Sequence, residues 1–142
     1  MDRKFVVVGI ILIFSGIILG AFGAHGLKKI LEEFPEKIAS FETGVRYQMY
    51  SGFAFLILGL NSDKLIFSLK SIFAFWIIGT LFFSGSIYFL SIQSVLGMSL
   101  KFLGPITPLG GLLLILGWII LLMKFILKKP IEIKAKNQTS NI

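Results

Sequence analysis

Twenty residues from Phe5 to Ala24 pass without a single charged side chain, and this run restricts the fold more than any other feature. As a helix rising about 1.5 Å per residue, it reaches across a hydrocarbon layer about 30 Å thick. Further apolar runs cover about 45–60, 71–92 and 106–127. A soluble fold would have to cover all of them, yet 56% of the 142 residues are hydrophobic and only 15% are charged. Soluble domains have about a quarter charged residues, so lipid is the fitting solvent. The expected fold class is an all-α integral membrane protein with a four-transmembrane-helix bundle over 1–127 and a polar cytoplasmic tail over 128–142.

The first run has a rival reading as a secretory leader. Arg3 and Lys4 precede it, and small residues close it at Gly20, Ala21, Gly23 and Ala24. A leader's apolar core has about 7–15 residues. This one is longer and further spans follow, so it is read as the first span.

Between the first two spans the pattern changes. Leu27, Ile30, Leu31, Phe34, Ile38 and Phe41 recur at helical spacing, with Lys28, Lys29, Glu32, Glu33, Glu36 and Lys37 on other faces. This predicts a short amphipathic helix lying at the interface. Pro35 lacks an N–H and breaks a helix from within, but it suits a first helical position. One helix should therefore end near Phe34, and another should start at Pro35 and run into the second span.

Four spans put both termini on one side. That side carries Arg3, Lys4, Lys64, Lys70, Lys124, Lys128, Lys129, Lys134 and Lys136, against Lys28, Lys29, Lys37, Arg46 and Lys101 opposite. The positive-inside rule then places both termini in the cytoplasm. The net charge of +7 is explained by these flanks. They form no stripe, so no nucleic-acid partner is expected. Asn137-Gln138-Thr139 spells a glycosylation acceptor, which on a cytoplasmic tail is accidental.

Small residues recur inside the spans. Gly16 and Gly20 form a GxxxG pair, Gly52 and Gly59 are seven apart, as are Gly110 and Gly117, and Gly85 lies in the third span. Such stripes let helix backbones approach where lipid offers no hydrophobic drive for association. They serve packing within one bundle or an interface with a second copy. Phe14-Ser15-Gly16 with Ile18 is similar to Phe83-Ser84-Gly85 with Ile87, a match that biased composition produces by chance.

The chemical inventory is thin. There is no Cys, hence no disulfide and no thiolate. His25 is the single histidine, too little for a zinc site that needs three or four ligands. Its readings are a helix-end residue bonded to carbonyls or a proton-responsive group. Glu42 and Arg46 have the spacing and order of a helical ion pair. His25, Glu42, Arg46, Gln48 and Ser51 all fall near the non-cytoplasmic side, where a polar cluster could gather. No acid or Lys lies in the middle of a span, where a proton- or ion-coupled carrier would need one. No cofactor, metal or catalytic residue is expected.

Four stretches carry a family resemblance: Gly20-Ala21-Phe22-Gly23-Ala24-His25-Gly26-Leu27, Phe41-Glu42-Thr43-Gly44-Val45-Arg46-Tyr47-Gln48-Met49-Tyr50, Phe83-Ser84-Gly85-Ser86-Ile87-Tyr88, and Leu103-Gly104-Pro105-Ile106-Thr107-Pro108-Leu109-Gly110-Gly111. In this order the chain resembles the YgdD/YwdK-like family of small multi-pass membrane proteins (domain of unknown function 423). The resemblance implies four spans and a location in the cell membrane, the bacterial inner or plasma membrane, and it assigns no activity. Family members usually carry a His shortly after the Tyr-Gln pair, where this chain has Ser51. A metal or proton relay joining that His to His25 is therefore incomplete here.

Together these observations lead to a non-enzymatic membrane protein that works by helix packing, as a homo-oligomer or beside a larger membrane protein. The alternative is a small-solute carrier or channel with its mouth near His25 and Arg46.

Overall fold

The computed structural model describes residues 1–127; the tail expected over 128–142 lies outside the described residues. All regular structure there is helical. The elements are α1 (Arg3–Phe22), a π-helical turn (Gly23–Leu27), α2 (Lys28–Ile30), α3 (Pro35–Leu60), α4 (Lys70–Thr80), a second π-helical turn (Leu81–Gly85), α5 (Ser86–Ile92) and α6 (Ile106–Leu127). Because the π turns are continuous with their neighbours, these elements make four rods. Three rods, Arg3–Ile30, Lys70–Ile92 and Lys101–Leu127, are long and apolar enough to cross a membrane. The remaining rod, α3, is long enough at 26 residues, but Arg46, Gln48 and Ser51 make it more polar.

The separate interfacial helix expected between the first two spans is absent. Nothing between Ala24 and Leu27 stops a helix, so the first rod continues through Gly23–Leu27 to Ile30. Phe34 then leaves the helical region (φ −129°, ψ 65°), and Pro35 takes a first-turn position of α3, where its missing N–H would have no partner. The amphipathic stretch is thus divided between the end of one rod and the start of the next. Asp2 caps α1 by accepting from Lys4 N. Asn61 closes α3, its side-chain amide and its backbone N–H both donating to Ile57 O. Gly97, at φ 62°, supplies the left-handed turn that follows α5, a conformation glycine adopts freely.

The rods join in sequence, α1 against α3, α3 against α4–α5, and α4 against α6. One core cluster centres on Phe5, Phe55, Ile72 and Trp76. Its rings meet edge-on or tilted, with centroids 5.3 Å apart for Phe5–Phe55, 5.1 Å for Phe5–Phe73 and 5.7 Å for Phe55–Trp76. Such geometry suits the ring quadrupoles. A smaller cluster of Leu27, Leu31 and Phe41 packs with Tyr88 at the other end. Outward faces hold large exposed apolar residues, among them Ile10, Phe14, Ile17 and Ile18 on α1 and Ile115, Ile119, Leu122 and Ile126 on α6.

Candidate functional site

The buried residues of α3 are Phe41, Gly44, Gln48, Ser51, Gly52, Phe55 and Gly59. They recur at three- and four-residue spacings and so share one face. Gln48 sits in the middle of it, 5% exposed. Its Nε2 donates to Leu12 O (2.9 Å) and to Ser15 Oγ (2.8 Å) on α1, and its Oε1 accepts from Tyr88 Oη (2.7 Å) on α5. One turn earlier on α3, Ser84 Oγ donates to Gly44 O at 2.8 Å. Ser86 and Thr107 hydroxyls lie 2.6 Å apart between α5 and α6. Polar groups in this interior thus bind rods to one another, and a buried amide that keeps its partners avoids a desolvation cost of about 1–3 kcal/mol.

The expected polar cluster does not form as one group. Gln48 and Ser51 are buried, whereas His25, Glu42 and Arg46 are exposed. His25 sits inside the first π turn. Arg46 Nη2 donates to Thr43 Oγ1 at 3.0 Å in place of an ion pair with Glu42. The ion pair formed among the described residues joins the Met1 amine to Asp63. Glu42 and Arg46 do line a shallow 240 Å³ groove with Gly20, Gly23, Phe41 and Val45. Among the described residues no three His, Cys, Asp or Glu gather as a metal site.

The glycines show which surfaces touch. A Cβ on Gly16 would meet Met49 Sδ at 2.7 Å, one on Gly20 would meet Val45 at 3.4 Å, and one on Gly59 would strike Phe5 Cβ and Val6 N at 2.8 Å. On Gly52 it would strike Ile13 at 2.8 Å and Gly9 O at 3.2 Å. On Gly110 it would strike the backbone of Phe82 and Phe83, and on Gly117 the ring of Trp76. All six therefore face other rods of the same chain. A Cβ on Gly85 would meet nothing within 4 Å among the described residues.

Sequence reasoning missed Gly9 and Gly79. A Cβ on Gly9 would strike Leu56 N at 2.7 Å and Gly52 O at 2.8 Å; one on Gly79 would meet Leu114 N at 3.0 Å and Gly110 O at 3.1 Å. Gly9, Gly16 and Gly23 are each seven apart, a spacing that was there to be read. Ser15, Ser84 and Tyr88 were also passed over as site residues. The Phe-Ser-Gly match between the first and third rods contains both serines, and both reach α3.

Helices of this length and hydropathy, with their polar side chains turned toward one another, define a helical membrane protein. The family model described as a protein of unknown function (DUF423) matches residues 19–111, and the chain belongs to that family. It is 40% identical over 124 residues to the UPF0382 membrane protein SAB0533 of Staphylococcus aureus (strain bovine RF122 / ET3-1), covering 85% of this chain and 93% of the relative. A UPF0382 membrane protein of Staphylococcus epidermidis is 38% identical over 123 residues, again covering 85% and 93%. The UPF0382 membrane protein YwdK of Bacillus subtilis is 36% identical over 124 residues, covering 85% and 94%. No solved structure matches the chain.

Proposed function

We propose that this is a non-enzymatic, four-span protein of the cell membrane, with both termini cytoplasmic, acting by contact with other helices in the plane of the bilayer. The contact is with a second copy or with a larger membrane protein that this chain accompanies. The reading of α3 as the remaining span draws on its 26 residues, about 39 Å of helix at about 1.5 Å per residue, and on the burial of Gln48 and Ser51. The observation that carries the proposal is the division of surfaces. Gln48 is committed to three partners inside the chain, while α1 and α6 present ridges of large apolar residues outward. The glycine stripes are engaged internally, so the partner contact falls on those ridges.

Native mass spectrometry of the protein, extracted in mild detergent from its own membrane at natural abundance, tests this. A stoichiometric second protein or a defined homo-oligomer is the expected result. A bare monomer would sink the proposal.

A second reading, a small-solute carrier, draws on the groove beside Glu42 and Arg46. It requires Arg46→Ala to abolish flux in proteoliposomes, and flux unaffected by that change would reject it.

A further inference from the structure

A cavity of 420 Å³ lies between α3, α4 with its π turn, and α6. Pockets for small organic ligands occupy about 300–1,000 Å³. The lining includes five aromatic rings, those of Tyr47, Tyr50, Trp76, Phe83 and Trp118, together with Ser51. The rings pair around the space: Tyr47 with Phe83 at 4.8 Å, Tyr47 with Tyr50 at 5.9 Å, and Trp76 with Trp118 at 4.6 Å between centroids. Among the described residues no charged side chain lines it. Tyr47 stands midway along α3, so with α3 as the proposed fourth span the cavity lies at the depth of the lipid tails.

Its polar groups are unused. Ser15, Ser40, Thr43 and Ser86 each return a hydrogen bond to the carbonyl four residues back. Ser51 has no side-chain hydrogen-bond partner among the described residues, although it is only 9% exposed and lines the cavity. The hydroxyls of Tyr47 and Tyr50 also have no partner among the described residues, although both side chains are exposed. The buried orphans among the described residues, Trp76 Nε1, Thr80 Oγ1 and Ser91 Oγ, lie outside this group: the indole Nε1 faces Gly117, and the two hydroxyls do not line the cavity. In hydrocarbon the Ser51 hydroxyl finds no water, and leaving it unpaired is costly.

We infer that this cavity binds an uncharged, lipid-soluble molecule with a flat conjugated ring bearing carbonyl oxygen, of the quinone class. The ring packs against the aromatic walls and a carbonyl accepts from Ser51. A ringless acyl chain would occupy the space without satisfying that hydroxyl, and a charged ligand would find no counter-ion there.

Both tryptophans of the chain line the cavity, so their fluorescence reports directly on its contents. The test titrates the purified full-length protein in nanodiscs with 2-methyl-1,4-naphthoquinone. The expected result is saturable quenching. It should weaken about tenfold in Ser51→Ala, the loss of one hydrogen bond, and vanish in Gly111→Leu, which fills the space. Decanol, ringless, should not compete. Quenching that rises linearly with probe, saturable quenching that Ser51→Ala leaves unchanged, or equal displacement by decanol would each overturn the inference. Near-ultraviolet circular dichroism establishes that the variants are folded, and Ser51→Ala keeps the test decisive if Gly111→Leu is not.

Discussion

The phenolic hydroxyl of Tyr88 donates to Oε1 of Gln48 across 2.7 Å, joining α5 to α3 through a side chain that also holds α1. One amide therefore ties three rods. Interhelical hydrogen bonds in membranes contribute about 0.6 kcal/mol on average and up to about 1.7. Tyr88→Phe is expected to cost an amount in that range, and Gln48→Leu more, because it leaves Tyr88 Oη and Ser15 Oγ without that partner. A double-mutant cycle between the two, read by unfolding in mixed detergent, should show non-additivity; strict additivity would mean that the bond contributes nothing.

Gly9 and Gly85 are expected to differ sharply. Gly9→Ala pushes a methyl group against Leu56 N and Gly52 O, and overpacking of this kind costs about 1–3 kcal/mol. Gly85→Ala meets nothing within 4 Å and should change stability by under about 0.5 kcal/mol. Thermal unfolding in one detergent compares them. Equal losses would contradict the packing described.

Gly16→Leu separates internal packing from self-association. Gly16 faces Met49 and Gln48, so leucine there should lower the stability of the single chain while leaving its oligomeric size unchanged. Light scattering coupled to size exclusion reads the size. A clean drop in oligomeric order at full stability would return the glycine stripe to an intermolecular role.

Orientation is open to chemical labelling, since the chain has no Cys. His25→Cys should react in intact cells with an impermeant thiol reagent, and Asn137→Cys should react after lysis alone. The opposite pattern would invert the topology.

What could be read beforehand follows from where information resides in a helical sequence. The start at Pro35 was legible because it rests on a local property of that residue, its missing N–H. The continuation of the first rod was not, since a π turn at Gly23–Leu27 leaves no mark in hydrophobic periodicity. Position along the chain gave neither depth nor direction around the axis: Gln48 lies level with Leu12 and Ser15 on the first rod, ten or more residues short of His25. His25, Glu42, Arg46, Gln48 and Ser51 were grouped by depth, and the structure turns the last two inward and leaves the others exposed. The spacing of Gly44, Gln48, Ser51, Gly52, Phe55 and Gly59 already described that inner face. Grouping by charge and polarity obscured it. The aromatic cavity was illegible, because its lining comes from three rods whose pairing no single segment encodes.

The two glycine crossings differ in kind from the contacts between them. Gly9 against Gly52 and Gly79 against Gly110 bring main chain to main chain, whereas the first pair of rods meets the second through side chains such as Gln48, Ser84 and Tyr88. Each hairpin therefore carries its own seam, complete before the other half exists. During synthesis, which proceeds from the N-terminus, α1 and α3 have all they need to zip together while α6 is still unmade. Joining the halves is then a docking of finished parts, and the hydroxyl and amide groups between them act as the latch.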